Sequence, residues 1–251
     1  MRGAWRIARV AGVDLYIHWS FSLLILLVVW QGLWSGREVV GILYILAALL
    51  LLFGCVALHE LGHALAARYL QVKVKRVVLF LVGGFVQIQT NPQKPWHEFL
   101  ISFAGPFVNL VIALCLAVIL FIVDIRLFFG FFKAPHTMID SIFLQAPFWQ
   151  NPVLGLVIFL LFANSVLFFF NLLPTFPMDG GRLLRALLAL FLPYVRATQW
   201  AIGFGQLFAL FLIILAWSHR NFGLLVIALF VLAAGLPILL SQKRFPTGDE
   251  A

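Results

Sequence analysis

Three side chains that could hold and use a metal ion stand together in the stretch LHELGHAL, residues 58 to 65. His59, Glu60 and His63 form the pattern H-E-x-x-H. On an α-helix, four residues advance by about 400°, so both imidazoles point the same way and can bind one zinc ion. Glu60 follows the first histidine and could take the proton of a water molecule at the metal. The pattern predicts a zinc site with its own general base.

The chain before this motif is almost wholly apolar from Val39 to Ala57. Two buried histidines that only make hydrogen bonds would carry the same letters. Ionisable side chains in a segment suited to hydrocarbon are costly, however, and are functional candidates by default. Three of them at metalloprotease spacing therefore favour a metal site over a structural histidine pair.

A catalytic zinc ion usually has three protein ligands and one open position. The candidate for the third ligand is Asp179, in the stretch NLLPTFPMDGGRLLRALL at residues 171 to 188. Pro174 and Pro177 interrupt the helix before it, and two glycines permit an unusual turn after it. Unwound backbone at membrane depth needs a polar cavity lined by protein. The alternative is an aspartate that caps the following helix, which is predicted to restart at Arg182.

Together these two motifs resemble the site-2 protease family of intramembrane zinc metalloproteases. H-E-x-x-H lies in one apolar segment and N-x-x-P-x-x-P-x-D-G-G in a later one. The glycine pair in LVGGFVQ and the stretch SFAGPFVNL, with Gly105, Pro106 and Asn109, are also similar to that family. The resemblance covers residues 14 to 190 approximately.

The resemblance implies an enzyme and gives roles to five residues. His59, His63 and Asp179 would bind Zn²⁺, and Glu60 would be the general base. Asn171 would help to hold the substrate or its oxyanion. The family cleaves transmembrane helices of other membrane proteins, often to release a transcription factor or its regulator. The implied partners are therefore a transmembrane protein substrate and the lipid bilayer.

The composition places these motifs in a membrane protein. Hydrophobic residues make up 64% of the 251 and charged residues 10%, whereas soluble domains carry about 25% charged residues. Several apolar stretches are longer than the roughly 18 residues that cross a bilayer. The predicted fold class is an all-α polytopic membrane protein with six transmembrane helices. The predicted spans are residues 19–34, 39–70, 98–122, 152–171, 197–217 and 222–240.

Residues 72 to 90, after the second span, have a strand-like pattern. Valines and lysines alternate in VKVKRVVLFLVGGFVQIQT, and Gly83-Gly84 separates two alternating runs, which predicts a membrane-associated β-hairpin. Open sheet edges are not tolerated against lipid, so the hairpin must pack on protein or line a wet cavity. It could offer an edge strand to an unwound substrate, or it could only plug the cavity. Residues 124 to 151 are predicted to form an interfacial or partly re-entrant loop.

The distribution of basic residues predicts the orientation in the membrane. The net charge is +8, and most of the seventeen lysines and arginines fall on one side of the predicted spans. The positive-inside rule marks that side as cytoplasmic, so both termini of this multi-pass cell-membrane protein are predicted to lie there. No nucleic-acid partner and no particular oligomeric state are predicted. Residues 1–242 are predicted to form a single transmembrane metalloprotease domain, and residues 243–251 a short polar tail.

A membrane transporter or metal permease is the alternative function. Such a protein could use His59, His63 and Asp179 as a transit site, and discontinuous helices near the midplane occur in transporters too. A transit site has no need of Glu60 beside its first ligand, however, and the chain shows no internal repeat. A zinc protease of prenylated peptides would share H-E-x-x-H but gives no reason for the Asp179 motif.

Overall fold

The computed structural model describes residues 3–81, 83–88, 94–133 and 151–242. The predicted polar tail, residues 243–251, lies outside this part of the chain. The described chain is mostly helical and contains one small sheet. Its strands are β1 Ala4–Val10, β2 Val13–His18, β3 Val74–Phe80 and β4 Gly83–Ile88. Its helices are α1 Ser20–Trp34, α2 Val39–Tyr69, α3 Pro95–Val123, α4 Ile125–Lys133, α5 Pro152–Asn171, α6 Asp179–Leu188, α7 Tyr194–Ser218 and α8 Phe222–Gln242.

Four of the described helices are long and apolar enough to cross a membrane, namely α2, α3, α5 and α7. Each of them coincides with a predicted span. Helix α1 has 15 residues and covers about 22 Å of a hydrocarbon layer of about 30 Å. The described apolar part of α8, Phe222–Ala233, is also shorter than a full span. The chain is thus a multi-pass membrane protein with four clear spans, and the total of six stays a prediction.

The long helices expose large apolar side chains on their outer faces. In water, contiguous apolar surface of this extent would be unfavourable, whereas lipid tails accept it. Several branched apolar side chains on these helices are more than half exposed, including Leu43, Leu50, Val118, Leu207 and Ile214. The surface therefore agrees with a protein solvated by lipid.

The sheet has four strands in the order β1-β2-β3-β4. Strands β3 and β4 pair antiparallel, so a hairpin is present within residues 72 to 90; its association with the membrane stays a prediction. Strands β1 and β2 were not predicted; they form a second antiparallel hairpin, and β2 pairs in parallel with β3. Arg6 and Arg9 lie on β1 and face Asp14 of β2.

Part of the predicted outer loop is helical. Helix α4 occupies Ile125–Lys133, and the Asp124 carboxylate accepts hydrogen bonds from the backbone N–H groups of Arg126 and Leu127. An aspartate in this position satisfies two donors that a helix start leaves open. The prediction of a loop over residues 124 to 133 is therefore wrong, and residues 134 to 150 lie outside the described part.

The chain divides into two compact units. Unit 1 comprises Met1–Asn91 and Ala104–Phe168, and unit 2 comprises Pro92–Phe103 and Phe169–Ala251. In unit 1, the sheet packs on α2, with Ala64 fully buried in a cluster of small and branched side chains. A second cluster in unit 1 joins α3, α4 and α5. That the chain forms a single domain stays a prediction.

Unit 2 contains α6, α7 and α8. Helices α7 and α8 pack against each other and α6 packs on α7. Phe176, just before α6, is buried against Ala201 and Ile202 of α7, and Met178 is buried with Ala209 and Val231. The residues on either side of the second proline are thus anchored in apolar contacts, which fixes where α6 begins.

Candidate metal centre

The histidine pair lies inside unit 1, on the 31-residue helix α2. His59, Glu60 and His63 are all less than a tenth exposed. The Nε2 atoms of His59 and His63 are 3.1 Å apart, and the two rings are nearly perpendicular. One helical turn has brought the two imidazoles together with corresponding nitrogens facing each other, as their spacing predicts.

The separation of these nitrogens fits a shared zinc ion. Zinc binds imidazole nitrogen at about 2.0–2.1 Å with tetrahedral angles, which places two nitrogen ligands about 3.3 Å apart. The observed 3.1 Å between the Nε2 atoms is close to that value. Neutral imidazole is also the form that binds metal.

Helix α3 lies close to this pair because glycines stand where the two helices meet. A Cβ atom at Gly105 would overlap the His63 ring and would lie 2.8 Å from Cε1 of His59. A Cβ atom at Gly62 would lie 2.8 Å from the carbonyl oxygen of Ala104. Side chains at either position would therefore push α3 away from α2. Gly105 belongs to the stretch SFAGPFVNL, which is similar to the site-2 protease family, and its place beside the histidine rings gives the physical reason for a glycine there.

Asn109 is one turn beyond Gly105 on α3, so both residues face α2. It is fully buried, and its side-chain nitrogen lies 3.1 Å from Nδ1 of His59. The ring of His59 thus has a polar neighbour at each nitrogen, His63 at Nε2 and Asn109 at Nδ1. Fifty residues separate Asn109 from His59 in the chain, so the motif spacing could not show this contact.

Glu60 lies against strand β4. A Cβ atom at Gly84 would lie 2.7 Å from Oε1 of Glu60 and would overlap its Cγ. The glycine pair therefore has two separate uses: Gly83 has a φ of 148°, which other residues rarely adopt, and Gly84 leaves room for the carboxylate. The glycines were predicted to form the turn of the hairpin, but both lie on β4, where Gly83 pairs with Phe80 and Gly84 with Leu79. The contact of Gly84 with Glu60 was not predicted.

Asp179 and Asn171 belong to unit 2. Asn171 ends α5, and Asp179 is the first residue of α6 and is about nine-tenths buried. Met178 occupies the position that caps α6, with no side-chain capping bond. The alternative in which Asp179 caps a helix that restarts at Arg182 is therefore wrong, because α6 already includes both residues.

The two glycines after Asp179 allow close packing in unit 2. A Cβ atom at Gly180 would overlap the carbonyl groups of Leu172 and Leu173, and one at Gly181 would lie 2.7 Å from the backbone nitrogen of Phe176. Helix α6 can begin this close to the preceding turn only without side chains there. The D-G-G motif thus places a buried carboxylate at the start of a helix that packs closely against the turn preceding it.

A buried ion pair in unit 2 was not predicted. The Glu98 carboxylate is bound at Oε1 by the guanidinium of Arg185 and accepts a hydrogen bond at Oε2 from the Tyr194 hydroxyl, at 2.8 Å. The Arg185 guanidinium also lies over the rings of Phe176 and Tyr194, at 5.2 and 5.0 Å from their centroids. The sequence did offer a sign of this ion pair, because Glu98 is one of only nine acidic residues and lies in the first turn of an apolar helix.

Both motifs lie in a region of the chain that matches a known protein family. The family model described as Peptidase family M50 matches residues 47–215, which include both motifs. The chain belongs to peptidase family M50. The resemblance to site-2 proteases, drawn from the motifs alone, is thereby confirmed.

Curated relatives of this M50 chain carry protease names. It is 29% identical over 226 residues to Zinc metalloprotease MJ0392 of Methanocaldococcus jannaschii, which covers 90% of this chain and 58% of that protein. It is 31% identical over 189 residues to Putative zinc metalloprotease sll0528 of Synechocystis, covering 72% and 43%. It is also 31% identical over 156 residues to Stage IV sporulation protein FB of Bacillus subtilis, covering 60% and 43%.

The M50 chain also resembles a solved structure along its whole length. The Site-2 Protease from Methanocaldococcus jannaschii matches with a TM-score of 0.58 and 25% identity, and the match covers 99% of both chains. The chain spans 43% to 58% of the length of the curated relatives named above. None of these comparisons favours a transporter or metal permease.

Proposed function

We propose that this M50 protein is an intramembrane zinc endopeptidase of the site-2 protease type. It would hydrolyse a peptide bond within or near a transmembrane helix of a membrane-protein substrate. The observation that carries the proposal is a pair of imidazole nitrogens 3.1 Å apart, with a buried glutamate beside them, inside a long apolar helix. A hydrolytic site in this position could reach bonds that soluble proteases cannot.

The proposed zinc ligands are His59, His63 and Asp179. Two imidazoles and one carboxylate are a donor set suited to zinc, and three protein ligands leave a fourth position open. When bound, zinc would supply Lewis-acid chemistry by acidifying water and polarising the scissile carbonyl. Replacing Asp179 with asparagine would keep the side-chain shape and remove the anionic donor, so zinc affinity would fall while unit 2 kept its fold.

Glu60 is the proposed general base. Its carboxylate would accept a proton from the attacking water as the oxygen bonds to the carbonyl carbon. The same proton would then pass from Glu60 to the amide nitrogen as the carbon–nitrogen bond breaks. Glu60 is buried, and its side chain lies against Gly84 of β4. Asn171 is the proposed contact for the substrate or for the oxyanion, through its side-chain amide.

Strand β4 is the proposed docking edge for the substrate. Among the described strands, β4 pairs only with β3 and so ends one side of the sheet. A substrate helix must unwind before water can attack, and an unwound segment can add to a sheet edge through main-chain hydrogen bonds. Because Gly84 of β4 contacts Glu60, a strand added here would run beside the base. The alternative role, a flap that only plugs the cavity, would leave cleavage independent of this edge.

The proposed topology has six spans in one domain covering residues 1–242, with both termini in the cytoplasm. Its support is the distribution of basic residues and the four clear spans. Helices α1 and α8 would complete the set. Cysteine labelling from each side of sealed vesicles, at single cysteines placed near each terminus, tests this orientation. Labelling of either terminus from the outer side would contradict it.

The test of the catalytic proposal compares the wild type with Glu60→Gln. Each purified protein is reconstituted into liposomes together with extracted membrane proteins, and new N-termini are mapped by mass spectrometry. We expect cuts in or near apolar helices with the wild type, at least about 100-fold fewer with Glu60→Gln, and equal zinc content in both. Zinc flux without cleavage, unchanged in the variant, would instead indicate a transporter.

A further inference from the structure

The side-chain amide of Asn109 has one hydrogen-bond partner among the described residues, the His59 ring. Its oxygen, Oδ1, is fully buried and has no partner in that part of the chain. A buried amide oxygen without a partner is costly, by about 1–3 kcal/mol. Because Oδ1 has no partner there, only the contact with His59 holds the amide in its orientation. Rotation of the amide by half a turn about its Cβ–Cγ bond would exchange its oxygen and nitrogen with little change of shape.

Each orientation of this amide is compatible with only one tautomer of a neutral His59 ring. The Asn109 nitrogen faces Nδ1 and can only donate, so Nδ1 accepts and the ring proton is on Nε2. That proton can be donated to Nε2 of His63, 3.1 Å away. In this arrangement the two histidines are hydrogen-bonded to each other, and Nε2 of His59 offers no lone pair.

Zinc binding through both Nε2 atoms requires the opposite arrangement. The lone pair of His59 must then be on Nε2 and its single proton on Nδ1, while the ring stays neutral. An Nδ1–H group needs an acceptor, and ligating histidines usually donate their second N–H to an oxygen. At Nδ1 of His59 the neighbouring group is Asn109, and after a half turn its Oδ1 would accept this proton.

We propose that Asn109 is a positioning residue that selects the metal-binding tautomer of His59 by turning its amide. When its nitrogen faces the ring, Asn109 favours the tautomer in which His59 donates its Nε2 proton to His63. When its oxygen faces the ring, Asn109 favours the tautomer in which Nε2 of His59 has a lone pair for zinc. This inference rests on the proposed zinc site. A purely apolar residue could pack here but could not accept the Nδ1 proton, and a carboxylate would accept it without turning.

Two substitutions at Asn109 and one matched control test the inference. Asn109→Leu keeps the branching and the number of side-chain heavy atoms and removes the acceptor, whereas Asn109→Asp keeps an acceptor only. Asn164→Leu is the control: Asn164 is also fully buried, has an Oδ1 without a partner among the described residues, and donates to the Leu160 carbonyl in α5. Zinc alone is the probe, titrated into metal-stripped, detergent-solubilised full-length chain against a competing chelator.

We expect Asn109→Leu to weaken zinc binding by about 10- to 100-fold, the usual cost of losing an outer-shell partner. Asn109→Asp should bind at least as tightly as the wild type, and Asn164→Leu should match it. Wild-type zinc affinity in Asn109→Leu would overturn the inference while leaving the proposed enzyme intact. A wild type that binds no zinc would instead overturn the proposed function.

A measurement on the wild type covers the case in which Asn109→Leu does not fold. Nitrogen-15 labelling of histidine distinguishes a ring protonated at Nδ1 from one protonated at Nε2, and the His59 signals are assigned by their loss in His59→Ala. We expect an Nδ1–H ring in the zinc-loaded protein. An Nε2–H ring at His59 with zinc bound would overturn the inference.

Discussion

In unit 2 the Glu98 carboxylate is surrounded by donors, whereas in unit 1 the rings of His59 and His63 bring two corresponding nitrogens face to face. Glu98 meets a guanidinium and a hydroxyl, and opposite charges are paired inside the cluster. The histidine pair contains no such charge pairing between its rings, and the oxygen of neighbouring Asn109 has no partner among the described residues. The first cluster is complete by itself, and the second is suited to an added cation.

The residues that surround the two clusters also differ. Aromatic rings of Phe176 and Tyr194 cover the Arg185 guanidinium, which fills the space around the charge. Around the histidine pair and Glu60, glycines stand instead, and any side chain at Gly84 or Gly105 would intrude. A structural ion pair gains from tight packing, whereas a reactive site needs room beside its polar atoms.

The largest expected effect on stability comes from the Glu98 cluster. Glu98→Leu would leave the partly buried Arg185 guanidinium without its carboxylate and should cost up to about 3–5 kcal/mol of unfolding free energy. Thermal unfolding of the detergent-solubilised protein measures this loss. The double variant Glu98→Leu with Arg185→Met removes both charges and should recover most of it. Equal stability of the single and double variants would show that the loss does not come from an unpaired Arg185 charge.

His63→Leu should have the opposite profile. An apolar side chain of similar size fits the buried position, so the change in unfolding temperature should be small. Loss of an outer-shell partner weakens metal binding by up to about 100-fold. Loss of the ligand His63 should weaken zinc binding by more than that, and cleavage should be lost as well. Metal titration and unfolding of the same preparation measure both. A large loss of stability with zinc affinity retained would contradict the distinction between the two clusters.

Gly105→Ala tests whether the space beside the histidine rings is required. The added methyl would overlap the His63 ring and crowd His59, and overpacking of this kind costs about 1–3 kcal/mol. We expect reduced zinc affinity together with a lower unfolding temperature. Gly203→Ala in α7 is the matched control, since a Cβ atom there would meet nothing within 4 Å. Equal effects of the two substitutions would refute the steric argument.

Gly84→Ala should have the smallest effect of the series. The three atoms nearest to the added methyl are Cγ, Cδ and Oε1 of Glu60, so the Glu60 side chain must shift to make room. A misplacement worth about 1.4 kcal/mol would slow cleavage about tenfold, with zinc affinity unchanged. Rates of substrate cleavage at equal zinc loading measure it. Loss of zinc instead of rate would show that β4 supports the ligands and not the base.

Those features that depend on neighbouring residues could be predicted from the sequence. The i to i+4 spacing of His59 and His63 brings their rings together on any α-helix, and the apolar runs of α2, α3, α5 and α7 are long enough to cross a bilayer whatever packs against them. The β3–β4 hairpin follows from alternation around a glycine pair. The first hairpin was not predicted; its strand β2 joins the sheet by pairing with β3, which lies far along the chain.

Only the tertiary structure decided what stands beside each of these groups. Asn109 reaches His59 across fifty positions of the chain, and Arg185 reaches Glu98 across 87. Periodicity carries no information about such contacts, because they depend on how closely whole helices and strands approach. The sequence by itself determined a membrane protein of family M50 with a histidine pair on a helix. The packing of α3 and β4 on α2 decided that the pair has an amide neighbour at His59 and that Glu60 has room beside Gly84.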